Sequence, residues 1–159
     1  MKTSRSSGAL AFLTLALAAG SALSGCDDQG FSTDAAMIGA RSFHSATVLP
    51  SGEILFSGGD AAGPLGSAEL YNSKTGVFLS VGALNEPRSR HTATLVDAAA
   101  SGDVSEVLVT GGEGSSLVSS AELYDPASAA WVITGAMNEA RRGHTATRLV
   151  SGQVLVVGG

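Results

Sequence analysis

The chain has 159 residues, a formal net charge of −5 and only 14% charged residues, with 21 Gly, 4 Pro and a single Cys. No basic patch is available to hold phosphates, which argues against nucleic-acid binding. The low charge argues against a disordered chain, and one Cys excludes an internal disulfide.

In chain order, the first element is apolar. Lys2 and Arg5 precede a hydrophobic run from Ala9 to Ala19, followed by Gly20-Ser21-Ala22-Leu23-Ser24-Gly25-Cys26. A cationic start, an apolar run too short to span a bilayer comfortably and a small-residue cleavage site predict a secretory signal peptide over 1–25. Leu23-Ser24-Gly25-Cys26 resembles the lipobox of bacterial lipoproteins. That resemblance implies Cys26 as the lipid attachment site, with several acyl chains, and more than one chain is what stable anchoring needs. It implies an exported protein anchored to an envelope membrane, inner or outer. Asp27 after the Cys resembles the inner-membrane retention signal of some enteric bacteria. Residues 26–36 read as a polar tether, and removal of Lys2 and Arg5 leaves the mature chain more acidic still.

From residue 37 onward one block returns three times. Its copies place Met37, Leu84 and Met137; then Arg41, Arg88 and Arg141; then His44, His91 and His144; then the pairs Gly58-Gly59, Gly111-Gly112 and Gly158-Gly159. Between a Gly pair and the next His come Ser67-Ala68-Glu69-Leu70-Tyr71 and Ser120-Ala121-Glu122-Leu123-Tyr124. Tyr71 to His91 and Tyr124 to His144 are both 20 residues, whereas Gly58 to Gly111 is 53 and Gly111 to Gly158 is 47. The extra residues fall between Asp97 and Asp103, where the other copies have a tight turn, which marks a surface loop on a fixed scaffold. Predicted strands are His44–Leu49, Glu53–Ser57, Ala68–Tyr71 and Val77–Val81 in the first unit. The second unit gives His91–Val96, Glu106–Thr110, Ala121–Tyr124 and Trp131–Thr134, and the third His144–Val150 and Gln153–Val157. No stretch of the repeat shows a helical period, so the fold class is all-β.

A repeat near fifty residues with a Gly pair, a Tyr and a late aromatic points to a radial β architecture. The Gly pairs, Tyr71, Tyr124 and Trp131 resemble the kelch motif over 37–159, with Phe78 where the first unit would carry its Trp. The resemblance implies four-stranded blades of a β-propeller. Two blades are complete, and the inner two strands of a third follow. Propellers close with about four to eight blades, so the expectation is an incomplete propeller, either part of a longer chain or one that assembles between chains.

Each motif residue has a structural role. Gly at a strand end permits positive φ or close approach of a neighbouring blade. The aromatics supply buried area, and a Tyr hydroxyl is expected to find a polar partner. Glu69 and Glu122 alternate onto the face of Tyr71 and Tyr124, so each is expected buried and paired with a repeat Arg, Arg88 and Arg141 being nearest in sequence. His44, His91 and His144 share one strand phase, but no second ligand lies at local metal spacing. A His satisfied within its own blade is the simpler expectation.

No catalytic residue, metal site or cofactor is predicted. Kelch-like propellers include copper oxidases resembling galactose oxidase, whose sites use a Tyr–Cys cross-link. Here the sole Cys is in the lipobox and both Tyr are blade-core positions. There is no nucleophile elbow, and Gly111-Gly112-Glu113-Gly114 opens no helix that could bind phosphate. What remains is the pair of corresponding loops, Asp60–Gly66 and Glu113–Ser119, which differ in sequence and read equally as recognition loops on a repeated frame or as solvated linkers between the second and third strands. The expected function is an envelope-anchored kelch lipoprotein that binds or scaffolds a protein or carbohydrate. The alternative is the non-catalytic propeller portion of a secreted galactose-oxidase-like or other carbohydrate-active enzyme.

Overall fold

A computed structural model describes residues 21–27, 30–97 and 105–159, with side chains from Ala35 onward except Asp97. The predicted signal segment up to residue 20, the Cys26 side chain and the insertion at 98–104 lie outside what is described. The described residues contain twelve strands and no helix.

Strands β1 (Ser21–Asp27) and β2 (Gly30–Ala36) form an antiparallel hairpin of their own. The backbone of the segment read as a tether is therefore paired. In this hairpin Asp27 lies opposite Gly30 and Ser21 opposite Ala36. Strands β3 (Ser45–Val48), β4 (Ile54–Ser57), β5 (Ala68–Asn72) and β6 (Val77–Val81) make a four-stranded antiparallel meander. Strands β7 (Thr92–Asp97), β8 (Ser105–Thr110), β9 (Ser120–Asp125) and β10 (Ala130–Ala136) make a second in the same order. Strands β11 (Thr145–Arg148) and β12 (Val154–Val157) form a two-stranded sheet matching the first two strands of the others.

The turns repeat with the strands. At the β3–β4 tip Gly52 has φ +85° and its N–H donates to the Leu49 carbonyl (2.9 Å). Gly152 repeats that φ and that bond to Leu149 at the β11–β12 tip. Between β5 and β6 the Asn72 side-chain oxygen accepts from the amides of Lys74 (3.0 Å) and Thr75 (3.1 Å). Asp125 performs the same task for Ala127 (2.9 Å). Short polar residues that imitate a backbone turn thus close both outer hairpins.

The core lies in the seam between the first and second sheets. Leu55 and Ala68 of the first meet Val107, Val109, Tyr124 and Trp131 of the second, with Leu84 from the connection between them. Tyr124 and Trp131 face each other across β9 and β10 with rings 5.0 Å apart, and Tyr71 and Phe78 do so across β5 and β6 at 4.8 Å. Phe78 therefore occupies the position of Trp131. The indole adds a polar tie, donating from Nε1 to the Gly82 carbonyl of the first sheet (2.7 Å).

Candidate functional site

The Arg, His and Gly positions of the repeat converge at the seams. Gly58 (φ +60°) and Gly111 (φ +61°) adopt left-handed conformations, and a Cβ on either would collide with the next unit. On Gly58 it would lie 2.5 Å from the Arg88 carbonyl, and on Gly111 2.6 Å from that of Arg141. Gly59 and Gly112 then donate their N–H groups to those two carbonyls (2.9 and 2.8 Å). Both expected reasons for glycine, positive φ and close approach, operate at the same residues.

Glu69 and Glu122 are buried and paired with arginine, but not with the arginines nearest in sequence. Glu69 pairs with Arg41 and Glu122 with Arg88. The guanidinium enters from the segment leading into the sheet that carries the carboxylate, whereas Arg88 and Arg141 leave the sheets of Glu69 and Glu122. Arg88 and Glu122 are both fully buried. Arg88 Nη1 donates to the carbonyls of Gly111 (3.0 Å) and Ser120 (2.9 Å), Nη2 to Glu122 (3.0 Å) and Nε to the Glu86 carbonyl (3.1 Å). Glu122 also accepts from the backbone amides of Asn85 (2.7 Å) and Glu86 (3.0 Å). Burial draws the Arg88 pKa down and the Glu122 charge draws it back up. A buried pair is tolerable when its remaining donors and acceptors are occupied, as here.

Two of the histidines differ from expectation, because His91 and His144 each reach back to the preceding sheet. His91 Nε2 lies 2.9 Å from Ser45 Oγ on β3, and His144 Nε2 lies 2.9 Å from Thr92 Oγ1 on β7. His44 packs on the Phe56 ring instead (5.7 Å). Burial above all, then the Arg88 charge, pushes the His91 pKa down to about 4, so it is neutral at pH 7. The Tyr124 hydroxyl does not find the expected partner; it is buried without a hydrogen bond among the described residues. The nearby Glu53 carboxylate is engaged by Asn72 Nδ2 (3.3 Å) and Ser51 Oγ (3.1 Å). Burial first, then the charges of Glu53 and Asp125, raises the Tyr124 pKa.

Outside the seams, one surface gathers unusual features. The residue before each repeat His is left-handed: Phe43 (φ 51°), Arg90 (φ 54°) and Gly143 (φ 64°). A non-glycine residue held there carries backbone strain of about 1–3 kcal/mol. The two predicted loops come to the same face. Asp60 bridges back to Ser42 through paired backbone bonds of 2.8 and 2.7 Å, and Glu113 to Ser89 through bonds of 2.9 and 2.8 Å. Between them lies a cleft of about 340 Å³ lined by Phe43, Asp60, Pro64, Ser89, Arg90 and Glu113. The Arg90 guanidinium sits 3.9 Å from the centre of the Phe43 ring, a cation–π contact. Glu113 lies 3.9 Å from Arg90 and also pairs with Arg142 of the next unit. Phe43 stays 54% exposed despite its size.

Sequence reasoning found the loops but missed Phe43, Arg90 and Arg142. The available signal was Gly143, which marks the position before His as one that suits glycine. Among the described residues no three His, Cys, Asp or Glu side chains converge as a metal site. No described helix is long and apolar enough to cross a membrane. No protein-family model matches the chain, and no match to it was found among curated proteins.

Proposed function

We propose that the chain is part of an exported, lipid-anchored, kelch-type β-propeller that binds a protein or glycan through its loop face. The repeated four-stranded meanders, tied by glycine, arginine and histidine at each seam, support the blade reading. The lipobox at Leu23–Cys26 supports the anchor. The observation that carries the binding role is the cleft between the two loops. There the exposed Phe43, the stacked Arg90 and the doubly paired Glu113 meet, the first two on left-handed backbone. Aromatic faces and fixed charges on a rigid frame are a recognition surface, and no nucleophile with an assembled base stands among them.

The test has two arms. Intact mass and membrane partition of the protein expressed in a bacterial host are compared with Cys26→Ser; a lipid-sized mass increase and membrane retention, both lost in the variant, are expected. An unmodified, soluble product would remove the anchor. In the second arm the protein is applied to arrays of bacterial glycans and to envelope extracts with photo-crosslinking. Phe43→Ala and Arg90→Ala should abolish capture while leaving the melting temperature near that of the parent. Capture indifferent to both substitutions would reject the cleft.

A further inference from the structure

We propose that the cleft between the two loops takes a neutral sugar ring of a glycan, laid on Phe43 with its hydroxyls shared between Asp60 and Arg90. This ligand class rests on the loop-face binding role proposed above and narrows it.

Two units carry a carboxylate at the same position in opposite states. Asp60 bridges to Ser42 and Pro64 as Glu113 bridges to Ser89 and Leu117, so the two residues correspond. Glu113 is neutralised twice, by Arg90 (3.9 Å) and by Arg142 of the next unit. Where the second seam has Arg90 and Arg142, the first has Phe43 and Ser89. Asp60 thus lacks the cations its counterpart has. Its backbone carbonyl accepts from Ser42 Oγ (3.2 Å), but its carboxylate has no partner among the described residues.

The surroundings of that free carboxylate select the chemistry of the ligand. Arg90 covers one face of the Phe43 ring, and Phe43 nonetheless stays 54% exposed. Pro64 and the buried Ser89 line the same cleft of about 340 Å³. An anionic group entering it would meet Asp60 and Glu113, and a cationic one would meet Arg90. A neutral polyol meets no like charge. Its hydroxyls donate to the Asp60 carboxylate and accept from the Arg90 guanidinium, bonds strengthened by the protein's charge. Its C–H face covers the apolar surface of Phe43 and Pro64, so few polar groups orient a mostly apolar contact. The frame is set before binding. The Arg90 N–H donates to the Phe43 carbonyl (3.0 Å) and the Gly143 N–H to the Arg90 carbonyl (2.9 Å), which fixes the aromatic relative to the cation.

The test titrates neutral gluco-, galacto- and manno-oligosaccharides, an oligouronate and a lysine-rich peptide into the full chain in a sugar-free detergent. Saturation-transfer NMR reads which ligand protons touch the protein. Saturable binding of a neutral oligosaccharide is expected, with transfer concentrated on the C–H protons of one ring face. Its affinity should hold between low salt and roughly 0.5 M salt, where an ionic ligand would weaken. Asp60→Asn should weaken it about tenfold at an unchanged melting temperature, because a charge-assisted bond is lost and no internal one. Phe43→Ala should abolish the face-selective transfer. Failure of every neutral oligosaccharide to bind, or binding indifferent to Asp60→Asn, overturns the proposal. Binding of the uronate or the peptide alone, lost in Phe43→Ala, rejects the neutral sugar and leaves the cleft's binding role standing. If Phe43→Ala changes the binding of no probe, the sugar and the binding role fall together.

Discussion

The seam between the first and second sheets and the seam between the second and third use the same residues in the same order, yet their environments differ. At the first, Arg88 is sealed with Glu122, Val107 and Val109 are fully buried, and Trp131 closes the compartment. At the second, the Arg141 side chain is 28% exposed, Val154 and Val156 are half-buried, and Leu155 and Val157 on the opposite face stand open. The hydrogen bond from Gly112 to the Arg141 carbonyl and the one between His144 Nε2 and Thr92 Oγ1 are nevertheless formed. Both seams thus share the bond from the second glycine of a pair to the next arginine carbonyl and the reach of a histidine to the preceding sheet. At the first seam Glu122 and the Tyr124–Trp131 pair are buried with them.

The largest test of that contrast is charge. Arg88→Ala leaves Glu122 buried without its cation, and a loss of about 3–5 kcal/mol in unfolding free energy is expected from urea titration. Arg141→Ala should cost less than about 1 kcal/mol, as for an exposed ion pair. Equal losses would break the distinction between the seams.

The next is pH. His91 has its pKa lowered from 6.5 to about 4, so the unfolded chain takes up a proton before the folded one as pH falls. Its contribution is complete above about pH 6.5 and is lost between there and pH 4, on the order of 3 kcal/mol. Chemical denaturation across that window should show the slope, and His91→Gln should flatten it. His144→Gln should change the profile less, its pKa being lowered by burial without so large a shift.

The smallest difference is steric. Gly111→Ala meets both a left-handed φ and a carbonyl 2.6 Å from the new Cβ, for an expected loss of about 3 kcal/mol. Gly158→Ala has the same kind of φ but open space, and should lose about 1 kcal/mol. Thermal melts of the two variants read the gap directly.

Much of this frame is legible in the residues. The strands, the Gly pairs and the correspondence of Phe78 with Trp131 follow from spacing, because a repeat reports the same local geometry several times. The existence of an Arg–Glu pair follows from strand alternation, since a carboxylate on the face of Tyr124 has to be neutralised. Which arginine serves is not legible. Arg88 and Glu122 are 34 residues apart and meet only because the lead-in segment folds over its own sheet. The reach of His91 to Ser45 is hidden for the same reason, spanning 46 residues across a seam. Phe43 and Arg90 escape because nothing in an aromatic or a cation announces a left-handed backbone. The β1–β2 hairpin escapes because the polar composition after Cys26 reads as a tether and not as strands.

Every unit carries the glycine socket at one side and the histidine and arginine carbonyl that fill it at the other. Such a head-to-tail lock needs no new surface when a unit is copied: a tandem duplication arrives already complementary to its neighbours. The length of the array is then free to drift through unequal recombination while the seams stay constant. The Phe43 and Arg90 side chains lie outside this glycine lock, while their backbones bond from one unit to the next.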